Sequence, residues 1–369
     1  MPPRHVALAV LVAVVWGANF VVIDLGLGDV PPTLFVAVRF VVVLLPAVFI
    51  VPRPAVPWRD IVAVGTFMSL GQFALLYTAL AVGMPAGLAS LVLQAQVVVT
   101  ALLSALLLHE RPTRPQVVGI LVGVVGLAVV AVGRSAATPA LGLVLVVAAA
   151  TSWAVGNVAA RRAATHATPR ATTRAANGPA DRPGGGGFRD GLSMTVWSAL
   201  VVPLPLFALA VAIHGPDAVA YALTHPTVPA LLSTAYTAWL ASLLGYGIWN
   251  TLLARHQTSA VVPFAMLVPV VGLTVAWLVQ GELPNGWETA GGALLLLGVA
   301  VTTGVVRPRR PRRAAVAGDP PRPEAERSSP AAGPPVPRGP RSPSSAGPSS
   351  PSPPRPPSSP DAPDPTPAR

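Results

Sequence analysis

VALAVLVAVVWGANFVVI, residues 6–23, is a run of eighteen side chains without a charge. A helix needs roughly 20 mostly apolar residues to cross about 30 Å of hydrocarbon. This run meets that demand with its immediate neighbours, about 5–25. Working outward, nine more stretches read the same way: 32–52, 60–82, 85–108, 115–133, 140–160, 191–213, 229–253, 259–280 and 287–306. The 369-residue chain is 52% hydrophobic and only 11% charged, with a mean hydropathy of +0.61. A soluble domain carries about 25% charged residues, so this chain has too little polar surface to be one. No small-residue cleavage site follows the first run and further spans do, so it reads as a retained helix and not a signal peptide.

The net charge of +11 first suggests a nucleic-acid partner. Its location removes that reading. All 25 basic residues are arginine. The loop 161–190 carries a net +4 and the tail 307–369 a net +6, so ten of the eleven charges lie outside the apolar body. The tail, rich in Pro, Ser and Arg, holds 21 of the 44 prolines; it cannot bury a core and is expected to be disordered. Arg307, Arg309, Arg310, Arg312 and Arg313 follow the last span at once, a pattern that suits anionic lipid headgroups. Cytoplasmic loops collect positive charge. With the N-terminus inside, 23 of the 25 arginines are cytoplasmic, Arg134 alone is external and Arg39 lies within a span. Both termini are therefore expected in the cytoplasm.

The body repeats itself. At an offset of 172, Glu110 falls on Glu282, Pro112 on Pro284, Gly119 on Gly291, Gly126 on Gly298 and Tyr77 on Trp249. Trp16-Gly17-Ala18-Asn19 also resembles Trp153-Ala154-Val155-Gly156-Asn157, at an offset near 137 because the 161–190 loop is longer than its counterpart. Five helices plus five helices makes the second unit enter the membrane with opposite polarity. The expected fold is an all-α membrane protein with ten transmembrane helices in two inverted repeats, 1–136 and 137–306, followed by the tail. Inverted repeats are common in secondary transporters, with the site at the repeat interface near the midplane.

Trp16-Gly17-Ala18-Asn19-Phe20, Arg39-Phe40 and Glu110-Arg111 resemble the EamA-type half-domain of the drug/metabolite transporter superfamily. The run from Gly83 to Gln96, with Leu244–Trp249, Leu267–Leu273 and Trp197–Leu200, is most similar to the bacterial O-acetylserine/cysteine exporters of that family. The resemblance spans 5–306. It implies export of a small amino acid or derivative across the bacterial inner membrane. Three departures stand out: the longer 163–190 loop, the added tail, and Leu283 where the family often has arginine after the second glutamate.

Polar side chains inside a bilayer are costly and face the bundle interior or a water-filled path. Arg39 stands out as an anchor for a substrate carboxylate; the plainer reading is a snorkelling or clamping arginine satisfied by carbonyls or by Asp24 and Asp29. Asn19, Gln72, Gln94, Gln96, Asn157 and Asn250 offer donors and acceptors that suit a zwitterion, or equally bond helix to helix. Trp16, Trp153, Tyr246 and Trp249 either wall a pocket or pack. Pro85 and Gly87 in span 4 and Pro263 and Pro269 in span 9 are helix-breaking candidates in corresponding places; such breaks point to a transport site, or are tolerated kinks. No Asp or Glu is expected in the core, which leaves Glu110 and Glu282, at span ends, as candidate proton-coupling residues; the alternative has them paired with Arg111, Arg114 or loop donors.

An intramembrane enzyme would need a nucleophile and base within the bilayer, and neither a mid-span histidine nor a Gly-x-Ser-x-Gly motif exists. With no cysteine in the chain, disulfides and thiolate metal sites are excluded, and no cofactor or metal is expected. The expected partners are a small-molecule substrate and the lipid bilayer, with no nucleic acid and a homo-oligomer left open. Two alternatives remain: a carrier of another small solute or drug, and a membrane scaffold or receptor that moves nothing.

Overall fold

In the computed structural model, every regular element among the described residues is helical. Residues 1–28, 30–109, 111–133, 138–165, 188–256 and 258–305 are described. Asp29, Glu110, Arg134, most of the 161–190 loop and the tail 307–369 lie outside them.

The elements in order are α1 (Pro3–Leu27), α2 (Pro32–Ile50), α3 (Trp58–Val64), α4 (Gln72–Ala81), α5 (Ala86–Val92), α6 (Ala95–Leu107), α7 (Arg114–Val132) and α8 (Ala140–Thr165). They continue as α9 (Phe188–Ala199), α10 (Pro203–His214), α11 (Pro216–Thr224), α12 (Val228–Ala235), α13 (Tyr246–Arg255), α14 (Thr258–Val261), α15 (Leu267–Gln280) and α16 (Gly286–Thr302). Wide-turned π segments, Gly65–Gly71 and Tyr236–Gly245, join α3 to α4 and α12 to α13. A 3-10 segment, Val262–Met266, joins α14 to α15.

Nine of the ten expected spans coincide, within a few residues, with continuous or jointed helices long and apolar enough to cross a membrane. The tenth, Gly286–Thr302, is apolar but has 17 residues, about 25 Å at 1.5 Å per residue. The expected ten full spans are thus nine, plus this shorter helix, among the described residues. Its length follows from its ends. Asn285 and Glu288 close a capping box, and the chain turns at Thr303 and Gly304.

Element boundaries recur at the offset of the sequence repeat. The helices α6 and α15 start at Ala95 and Leu267, and α7 and α16 start at Arg114 and Gly286. Capping boxes open both α7 (Thr113 with Gln116) and α16 (Asn285 with Glu288). One π segment falls in each half.

Lipid is as apolar as leucine, so membrane helices associate through close packing and not through hydrophobic transfer. The helices α7 and α16 do this with glycine. A Cβ added at Gly126 would lie 2.7 Å from the carbonyl oxygen of Gly291, and one at Gly298 would lie 2.7 Å from that of Gly119. The outward face of α7, with Val118, Leu121, Val124 and Val125, is more than half exposed. That is the pattern of a helix turned to lipid on one side and pressed against a partner backbone on the other.

In span 4 the break differs in place from the expected one. Pro85 caps α5 and Gly87 lies in its first turn, so neither interrupts span 4. The interruption comes at Leu93–Gln94, between α5 and α6, where no proline or glycine stands. Gly87 instead permits close approach, because a Cβ there would sit 3.2 Å from Leu273 of α15. In span 9, Pro263 opens the 3-10 segment and Pro269 lies in the first turn of α15. Span 7 breaks ahead of Pro203, and α2 kinks at Leu45, the residue before Pro46.

Candidate functional site

The helices surround a cavity of about 650 Å³. Its wall is drawn from both halves of the chain. Trp16 and Asn19 come from α1, Arg39 from α2, and Gln72 from the first turn of α4. Gln94 lies in the α5–α6 break and Gln96 in the first turn of α6, Trp153 and Asn157 come from α8, and Tyr246, Trp249 and Asn250 come from α13. All eleven residues singled out from the sequence as substrate contacts thus meet at one cavity. Others went unforeseen: Met68, Phe73, Met194, Thr195 and Met266 also line it. They are apolar or small, and nothing in an apolar sequence marks such residues as special.

Arg39 is buried to 1% exposure, so it does not snorkel. Its Nη1 donates to the Tyr77 hydroxyl at 2.9 Å and its Nη2 to the Ser242 hydroxyl at 3.0 Å. The guanidinium carbon lies 4.2 Å from the Phe73 ring centroid, a cation–π distance. Nε is buried with no hydrogen-bond partner, and no carboxylate pairs with Arg39 among the described residues. The expected clamp to Asp24 is absent, because Asp24 accepts instead from Gln280 Nε2. A buried charge without a counter-charge costs several kcal/mol, which two hydrogen bonds and a ring offset only in part.

The amides divide into two groups. Asn157 Nδ2 donates to Gln96 Oε1 at 2.9 Å and to Thr100 at 3.2 Å, which ties α8 to α6. Asn19 Oδ1 and Gln72 Oε1 are buried and have no partner. Around the cavity, among the described residues, Arg39 Nε and the Asn19 and Gln72 amide oxygens are thus buried without hydrogen-bond partners, beside aromatic rings. Trp16 packs at 5.0 Å from Tyr246 and 5.3 Å from Trp249, centroid to centroid. These rings both pack and wall the cavity.

The π segments shape this wall. A π turn leaves carbonyls misaligned with the ladder, and side chains collect them. Trp16 Nε1 donates to Ala241 O at 2.9 Å, and Ser152 donates to Phe67 O at 2.7 Å. Ser242, which holds Arg39, itself donates to Thr237 O.

Outside the cavity, one carboxylate corrects the expectation of an acid-free core. Glu288 is 2% exposed, caps α16 and accepts from Thr138 at 2.8 Å. Asp24 lies in the last turn of α1. Both oxygens of Glu282 accept backbone N–H bonds from Ala86 and Gly87 at 2.9 Å, and not from Arg111 or Arg114. Glu110 lies outside the described residues.

A profile of the EamA-like transporter family matches residues 4–132 and 187–304. The chain belongs to that family. This EamA-like protein is 40% identical over 312 residues, 84% of its length, to the "Probable amino-acid metabolite efflux pump" of Salmonella typhimurium (strain LT2), and covers 97% of that relative. A relative of the same description from Escherichia coli (strain K12) is 38% identical over 314 residues, 84% of this chain and 98% of that one. A solved crystal structure aligns with a TM-score of 0.51 at 20% identity, over 83% of this chain and 98% of that one. Family membership and the apolar helices make the EamA-like protein a multi-pass membrane transporter and not an enzyme.

Proposed function

We propose that this EamA-like protein is a secondary transporter of the bacterial inner membrane that exports small amino-acid metabolites, of which O-acetylserine and cysteine are the type. Alternating access of two inverted five-helix repeats would carry the cargo, with both termini in the cytoplasm. The observation that carries the reading is Arg39, a fully buried cation on the cavity wall with an unpartnered Nε and, among the described residues, no paired acid. Such a group calls for an anion from outside the protein. A substrate carboxylate fits through a charge-assisted hydrogen bond, about twice as strong as a neutral one. Asn19 Oδ1 and Gln72 Oε1 supply acceptors for the ammonium group of the same molecule. Helix starts and capping boxes that recur in the two halves support the repeat. The descriptions of the relatives support the substrate class and the direction.

The test is counterflow of labelled L-cysteine in proteoliposomes bearing the wild type, Arg39→Lys or Arg39→Ala. Loss in the alanine form, with partial retention in the lysine form, is expected. Equal substrate affinity in all three would remove the carboxylate anchor. The size of the cavity and its aromatic and methionine lining favour a second reading, in which larger apolar solutes also pass. Competition of such solutes with L-cysteine separates the two.

A further inference from the structure

We infer that Asp24 and Gln280 form a proton-binding site through which transport is coupled to a pH gradient. The inference rests on the transport reading above and adds the coupling ion to it. Asp24, in the last turn of α1, accepts a hydrogen bond at Oδ2 from Gln280 Nε2, at the end of α15. The other amide atom, Gln280 Oε1, is buried and has no hydrogen-bond partner. An ionised Asp24 cannot satisfy it, since a carboxylate only accepts. A protonated Asp24 can. Carboxyl and amide groups are planar forks of matching width. A proton on Oδ1 would donate to Gln280 Oε1 while Nε2 continues to donate to Oδ2, closing a two-bond ring.

Among the described residues, no cationic side chain is paired with Asp24 at this place. Among the described residues, α5, α12, α15 and the 3-10 segment, all packed on α1, carry no titratable side chain. The Tyr236 hydroxyl is occupied by Val15 O, and Tyr77 by Arg39. Tyr246 belongs to the ring cluster around Trp16. Arg255 and His256, at the end of α13, lie with His5 at the opposite end of α1, where the two histidines bond at 2.6 Å. Glu282 is held by the amides of α5. Asp29 lies outside the described residues.

The location suits coupling. The helices α1 and α15 come from different halves of the chain, so a bond between their ends opens or closes with the halves. Phe20, one turn before Asp24, lines the cavity. In the proposed orientation this end faces the outside. A proton taken up there neutralises Asp24, adds the second bond and closes the outer end. Its departure toward the cavity leaves a partly buried carboxylate facing a carbonyl oxygen, which loosens that end. One proton enters as one zwitterionic solute leaves, an antiport that moves one positive charge inward per cycle.

The experiment compares the wild type with Asp24→Asn in proteoliposomes loaded with labelled L-cysteine, with and without a pH gradient. Infrared difference spectra of the same samples follow the carboxyl band against pH without any substrate. In the wild type the ratio of gradient-driven to gradient-free rate should exceed one, and in Asp24→Asn it should fall to one. A protonated-carboxyl band should be present in the wild type and missing in the variant. A gradient response that survives in Asp24→Asn, or a band that does not depend on Asp24, overturns the site. Should L-cysteine not move at all, the substrate reading fails, and the infrared titration alone still decides the proton site. If Asp24→Asn does not fold, Gln280→Leu takes its place; a band at unchanged pH in that variant would also overturn it.

Discussion

Arg39 is where the chemistry of this chain concentrates. Its charge inside an apolar run is visible in the sequence, since water-free surroundings make any buried charge an exception. Its partners were not visible. Tyr77 and Ser242 lie 38 and 203 residues away, and nothing in linear spacing joins them to Arg39. The phenol holds one guanidinium nitrogen, while Nε has no hydrogen-bond partner. Replacing it in Tyr77→Phe removes a hydrogen bond to a charged group, worth about 1.5–3 kcal/mol. The expected result is normal insertion with KM for L-cysteine raised roughly tenfold or more, since each 1.4 kcal/mol is a factor of ten; counterflow kinetics measure it. Glu282 shows the opposite case. Its repetition of Glu110 was legible, but its role as an acceptor for two backbone amides of α5 depends on a helix 195 residues upstream.

Among the elements, the spans were legible because bilayer thickness fixes their length and apolar character. Their joints were not. Neither π segment has a proline, and the break at Leu93–Gln94 has neither proline nor glycine to announce it. The glycines at the repeat offset stand out in the sequence, yet their physical use appears only in the packed pair α7–α16. A leucine at Gly126 must enter space where even a Cβ would lie 2.7 Å from a backbone oxygen. Gly126→Leu is expected to abolish the folded protein, read as loss of the monodisperse peak in detergent. Val124→Leu, on the exposed face of the same helix, should leave that peak intact. A stable Gly126→Leu protein would show that this contact is not needed for folding.

For the whole molecule, orientation is the property most open to a direct check. The chain has no cysteine, so each introduced thiol is the only one present. An impermeant maleimide added to whole cells should label Val82→Cys, beyond α4, and should reach Arg53→Cys, beyond α2, only after permeabilisation. The reverse pattern would invert the topology. The sequence by itself determined the membrane class, the approximate bounds of nine spans and the family. These depend on the bilayer as solvent and on composition over whole segments, which a linear reading can sum. Only the tertiary structure decided that the eleven polar and aromatic candidates share one cavity. It alone decided that Arg39 pairs with no acid among the described residues, that Asp24 faces Gln280, and that Glu288 is buried. Those facts depend on which faces of distant helices meet, and in a sequence apolar on nearly every face no periodicity records that choice.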